Sequence, residues 1–294
     1  MLLLIMIYIY LTFIENKLTN FFSLCKIEFF NNNNSLSNKL IDNPMKIDLN
    51  CDVGETYYDK LVGNDRELIP MVSSCNIACG FHGGDPLTIQ KAIEQALKCQ
   101  TSIGAHPSYP DLENFGRKEM HLSVSELKAC LRYQIGALQQ MVKSRGGTLK
   151  HVKPHGALYN AAAKDFDLAV AIGEVLQEVD AKLIFLGMSN SQMEKAAAHL
   201  ELPFVREVFA DRRYNTNGFL CSRDQKGAVL SSSEECAHQA LEMLTNQTVT
   251  VVSGQKIPVI AESICIHGDS KNAVTSLLYL KQLLLQNKIE VKSF

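Results

Sequence analysis

No two cysteines in this chain stand at CxxC spacing, and the total of nine is odd. That argues against a secreted disulfide framework and points to a reducing compartment, the cytoplasm. Cys75 and Cys79 lie close together, but alternation along a strand facing helices explains their spacing, so they read as buried thiols. There is no basic stripe or arginine-rich run; net charge is −2 and pI about 6.5, which excludes nucleic acid as a partner. No GxxxxGK[ST] occurs, so the chain carries no P-loop. No HExxH occurs either, so metal ligands would have to converge from separate strands. A comfortable membrane span is also missing. Met1 to Phe13 is apolar, but Glu15 and Lys17 interrupt it. The run has the length of a signal segment, yet no lysine or arginine precedes it and no small-residue cleavage site follows. Asn31 to Asn43 is polar and low in complexity and reads as unstructured. Residues 1–44 therefore form an extension or an over-long start, and residues 45–294 a single domain.

What is present is a repeated strand-to-helix hand-over. In Asn76-Ile-Ala-Cys-Gly-Phe-His-Gly-Gly-Asp-Pro86 an apolar run ends near a histidine, breaks on two glycines and restarts as a helix capped by Asp85. Before it, Lys46 to Asp52 alternates, with Ile47, Leu49 and Cys51 on one face and Asp48, Asn50 and Asp52 on the other. Three polar groups on one strand face are costly unless that face lines a polar cavity. A short helix is expected over Arg66 to Val72 and a second strand over Ser73 to Gly80. A third strand runs from Thr101 to His106, with a loop from Pro107 to Gly116 long enough to fold over a site. Ser123 caps a helix through Ser144, which Gly146-Gly147 stops.

Thr148 to His155 reads as the fourth strand, placing His151, Lys153 and His155 on one face. Further strands are expected at Lys182 to Met188, Phe204 to Ala210 and Ser263 to Gly268. Helices are expected at Phe166 to Val179, Ser191 to His199 and Ser232 to Asn246, and from an Asp269 cap to Leu285. Thr248 to Ala261 is a hairpin insertion. Strand and helix alternate about seven times, which favours a TIM-like α/β barrel of about seven parallel strands over an open sheet. Asp52, His82, His106, His155, Asp211 and His267 all fall at or just past strand C-terminal ends, where a barrel gathers its site. Lys153, on an enclosed face, needs an anionic partner such as Asp48, Asp52 or Glu207. Asp211-Arg212 suits recognition of an oxyanion or carboxylate. His121, His199 and His238 read as surface residues; His151 is left open between site and structure.

Lys46-Ile-Asp-Leu-Asn-Cys-Asp-Val-Gly-Glu55, Asn76-Ile-Ala-Cys-Gly-Phe-His82, Gly104-Ala-His-Pro107, Phe115-Gly-Arg117, His151-Val-Lys-Pro-His-Gly-Ala-Leu-Tyr-Asn160, Glu207-Val-Phe-Ala-Asp-Arg212 and Ile266-His-Gly-Asp269 together resemble the LamB/YcsF family. Cys51, Cys75 and Gly83 stand where that family usually has alanine. The resemblance implies a seven-stranded barrel of glycoside hydrolase/deacetylase type. It also implies ATP-coupled opening of 5-oxo-L-proline to L-glutamate, in a complex with B and C subunits that handle at least part of the ATP chemistry. The catalytic set would be Asp52, His82, His106, His155 and His267. Asp48, Asn50, Asn76, Lys153, Glu207, Asp211 and Arg212 would bind substrate. Two other readings stand beside it: a metal-dependent deacetylase or amide hydrolase using Asp52, His82 and His106, and a non-catalytic subunit that holds a small acid.

Overall fold

The computed structural model describes residues 45–270 and 272–294. The expected N-terminal extension, residues 1–44, lies outside the described residues. Among those described, seven parallel strands close into a barrel: β1 (Lys46–Val53), β2 (Ser74–Ala78), β3 (Ser102–His106), β4 (Leu149–Val152), β5 (Ile184–Met188), β6 (Phe204–Phe209) and β9 (Ser263–Cys265), with β9 pairing back onto β1. β7 (Thr248–Thr250) and β8 (Lys256–Pro258) form the expected antiparallel hairpin. A short β10 (Glu290–Val291), not foreseen, pairs with the start of β1.

Helices follow the strands as the pattern requires. α1 (Asp65–Leu68) runs into a 3-10 turn at Ile69–Met71. α2 (Pro86–Cys99) is capped by the Asp85 carboxylate, which accepts from the Leu87 and Thr88 amides, with proline in the first turn. α3 (Val124–Ser144) opens with a Ser123/Glu126 capping box and turns Leu127, Leu131, Ile135, Leu138 and Val142 inward at helical spacing. α4 (Gly156–Ala162), α5 (Phe166–Asp180), α6 (Gln192–His199), α7 (Ser233–Thr245) and α8 (Ala273–Gln286) complete the outer layer.

Two local expectations need correction. β4 stops at Val152, because Pro154 cannot donate to a ladder and His155 opens α4, a helix the strand reading had missed. Asp269 caps nothing: α8 begins after Asn272, and the Asp269 carboxylate instead accepts from Arg117 at 2.5 Å. The outward face of β1 packs Ile47, Leu49, Cys51 and Val53 into the apolar layer beneath the helices. The inward face carries Asp48, Asn50 and Asp52, so the barrel interior is polar. Among the described residues no helix is long and apolar enough to cross a membrane.

Candidate active site

The inward polar residues form a connected floor. Asp48 accepts from Ser73 at 2.7 Å, Ser74 at 2.8 Å and Ser263. Burial nonetheless raises its carboxyl to about 6. Asn50 donates to Ser263 at 2.7 Å and Glu207 at 3.1 Å. Asn76 donates to Asn50 and to Asp52, each at 2.8 Å, and accepts from His151 at 2.7 Å. His151 is fully buried, and that burial, with Lys153 nearby, holds its ring neutral at about 3. It fits only because Gly104 stands beside it: a Cβ there would overlap the imidazole.

Lys153 closes this floor. Its Nζ lies 2.8 Å from Glu207, 2.9 Å from Asp52 and 3.2 Å from Cys265 Sγ. Burial alone would neutralise the amine, but Asp52, Cys265 and Glu207 outweigh it and hold the pKa well above the ordinary lysine value. Asp52 is correspondingly held well below the usual carboxylate range, its burial overcome by His106 and Lys153. Tyr159 donates to the second Glu207 oxygen at 2.8 Å.

Above the floor, at the C-terminal mouth, three histidines meet. His106 Nδ1 donates to the Lys153 carbonyl at 2.7 Å, and its Nε2 lies 3.3 Å from Asp52 and 2.9 Å from His155 Nδ1. His155 Nε2 donates to the Phe115 carbonyl at 2.9 Å. His82 stacks on His155, centroids 3.7 Å apart and planes 3° from parallel, with Nε2 3.3 Å from Glu55. Burial drives His82 and His155 well below the usual histidine range, while burial and Asp52 raise Glu55 well above its own. The loop before α3 does fold over the site, as its length implied. Gly116, at φ +66°, passes so close to His82 and His155 that a side chain there would strike both rings.

A cavity of about 480 Å³ opens over this group, lined by Asp52, His106, Lys153, His155, Arg212 and His267 among others. His267 is oriented by Asp211, which accepts from its backbone N–H at 3.1 Å and from Nδ1 at 3.0 Å. Arg212 donates to the Cys221 carbonyl at 2.5 Å, and its buried Nε has no partner among the described residues. Burial and neighbouring Arg223 lower this guanidinium to about 10, which leaves it charged at neutral pH.

The expected residues thus divide. Asp52, His106, Lys153, His155, Arg212 and His267 line the cavity; His82 stands behind His155, and Asp211 behind His267. Asp48, Asn50, Asn76 and Glu207, expected to touch substrate, lie instead in the hydrogen-bonded floor. His121, His199 and His238 are exposed as expected, and Cys75 and Cys79 are buried. His151 and His155 stand at HxxxH spacing, yet one ring sits in the floor and the other at the mouth. Sequence reasoning missed Glu55, which follows the positive-φ turn at Gly54, and Arg117, which borders the cavity. Both lie in quoted motifs, but neither lies on a strand. Among the described residues, two groups could hold a metal ion: Glu55, His82, His106 and His155, and separately Asp52, Cys265 and His267.

Comparison with known proteins bears on this arrangement. A protein from Tolumonas auensis, named as the A subunit of 5-oxoprolinase, is 44% identical over 248 residues, spanning 84% of this chain and 99% of that one. One of the same name from Acinetobacter baylyi is 46% identical over 250 residues, 85% of this chain and 98% of the relative. The crystal structure of a lactam utilization protein from Thermus thermophilus superposes with a TM-score of 0.80 at 41% identity, covering 85% of this chain and all of that one. The model of the LamB/YcsF family matches residues 47–294, from the first barrel strand to the C-terminus, and the chain belongs to that family.

Proposed function

We propose that this chain is the A subunit of a 5-oxoprolinase and opens 5-oxo-L-proline to L-glutamate with ATP as the driving reactant. The observation that carries the reading is the shared cavity: the Arg212 guanidinium, suited to an anion, and a buried Asp52–His106–His155 group line one space of about 480 Å³. Relatives named as the A subunit of 5-oxoprolinase, at 42–46% identity, support it.

The chemistry requires both ends. A five-membered lactam is a resonance-stabilised amide and a poor electrophile. Transfer of the γ-phosphoryl group of ATP to its oxygen, with release of ADP, opens the ring carbon to water. The C–N bond then breaks as the nitrogen takes a proton, and a second water releases phosphate from the resulting acyl phosphate. Arg212, with a donor to spare, holds the substrate carboxylate or the phosphoryl charge. Lys153 has its donors committed to Asp52, Glu207 and Cys265, so it acts by holding Asp52 ionised and in place. Asp52, His106 and His155 form the end that seats and polarises water. His267, held by Asp211, is placed to give a proton to the departing nitrogen or oxygen.

ATP is handled with or by the B and C subunits, since the chain has no P-loop. The unpaired cysteines of the described residues suit the cytoplasm.

The test is co-purification with candidate B and C subunits and an assay of ATP-dependent glutamate release from 5-oxoproline. Turnover by the reconstituted complex and almost none by the single chain are expected. An inactive complex, or strong activity of the single chain, overturns the assignment. Turnover retained when this chain carries both His82→Gln and His155→Gln would reduce its role to binding.

A further inference from the structure

Two ring nitrogens at the barrel mouth face each other with no proton assigned between them. A carbonyl oxygen only accepts, so His106 must carry its proton on Nδ1, bonded to the Lys153 carbonyl at 2.7 Å. For the same reason His155 must carry its proton on Nε2, bonded to the Phe115 carbonyl at 2.9 Å. With one proton on each ring, the remaining nitrogens, His106 Nε2 and His155 Nδ1, are both acceptors, and they stand 2.9 Å apart. Glu55 Oε1 lies 3.7 Å from His155 Nδ1, and Asp52 Oδ2 lies 3.3 Å from His106 Nε2. All four side chains are more than nine-tenths buried. Lone pairs brought together out of water repel unless a positive charge sits among them.

We propose that the charge is a divalent transition-metal ion, held by His106 Nε2, His155 Nδ1 and Glu55. Three features of the surroundings fit. Ligands at about 2.0–2.1 Å from one tetrahedral ion lie about 3.3–3.4 Å from each other, between the 2.9 Å that separates the two nitrogens and the 3.7 Å from His155 Nδ1 to Glu55. Each ligating imidazole has its other N–H tied to a backbone carbonyl, the outer contact that orients metal-bound histidines. His82 Nε2, 3.3 Å from Glu55 Oε1, is placed to donate to that carboxylate and orient it in turn. Two imidazoles and a carboxylate select a zinc-type ion over magnesium or calcium. His106 and His155 line the cavity, so an ion held between them would be open to it.

The other acid–thiol–histidine group, Asp52, Cys265 and His267, is not a second site. The Lys153 ammonium already lies 2.9 Å from Asp52 and 3.2 Å from Cys265. The ligand set differs from the sequence-based alternative of Asp52, His82 and His106: His82 Nε2 faces Glu55, and Asp52, whose Oδ1 is taken by Lys153 and Asn76 while Oδ2 lies 3.3 Å from His106 Nε2, does not cluster with Glu55 and His155.

This deepens the reading above by naming what polarises the water. Metal binding is measured on the chain without substrate or partners, so its failure is separable from failure of lactam opening. Full-length protein, stripped with chelator and titrated with Zn²⁺, is expected to take up about one equivalent, with X-ray absorption reading two imidazole ligands. Glu55→Gln and His155→Gln should each weaken Zn²⁺ binding by about 100-fold or more, whereas exposed His238→Gln should leave it unchanged. Absence of Zn²⁺ binding overturns the proposal and leaves a shared proton as the charge between the rings. So does a bound zinc whose absorption spectrum shows fewer than two imidazoles, a readout on the unsubstituted chain that holds even if a variant fails to fold.

Discussion

The barrel holds two polar regions a few ångströms apart, and they differ in how fully their groups are satisfied. In the floor, Asp48, Asn50, Asn76, Glu207 and Lys153 spend their polar atoms on one another and on the serines around them. At the mouth, His82 Nδ1 and Arg212 Nε have no partner among the described residues, against His151 Nδ1 alone in the floor, and two histidine nitrogens confront each other. Buried polar groups that satisfy each other are structure; those left open are where a ligand completes the set. Lys153 belongs to both regions, since it neutralises the floor and holds the mouth's Asp52 in its charged form.

The sharpest way to break this contrast is Lys153→Ala. It leaves Asp52 and Glu207 buried without their cation, and a loss of about 3–5 kcal/mol in denaturant unfolding is expected, together with loss of coupled activity. Full activity would show that the floor does not serve the mouth. Gly104→Ala attacks the floor alone: the added methyl displaces His151, and a stability loss of about 1–3 kcal/mol is expected by the same measurement. Arg212→Met attacks the mouth alone. In the reconstituted complex kcat/KM for 5-oxoproline should fall about 10–100-fold while the fold is retained by circular dichroism. An equal fall in stability and activity would merge the two regions.

The mildest test concerns pH. The Asp48 carboxyl is raised to about 6 in the folded chain against an ordinary 3.8, so the folded state binds that proton more tightly. Its contribution to stability is full below about pH 4 and is lost as pH rises through about 6. Melting temperature against pH should therefore fall across that window, and Asp48→Asn should flatten the fall.

Much of this was legible beforehand. The alternation of β1, the Asp85 and Ser123 caps and the repeated histidines at strand ends all lie where period and capping rules put them. Glu55 and Arg117 escaped because they sit in loops, whose paths depend on positive-φ glycines and long-range contacts rather than on any local period. The fate of Asp48, Asn50, Asn76 and Glu207 was open for a related reason: alternation says that a residue points inward, but not at what depth.

The sequence by itself determined the barrel, the inward polar face and the end at which the histidines gather, because side-chain periodicity and chain direction are local properties. Only the tertiary structure decided which groups became scaffold and which became site. That depends on where backbone carbonyls such as those of Lys153 and Phe115 come to rest, and so on which nitrogen of each imidazole is left to act.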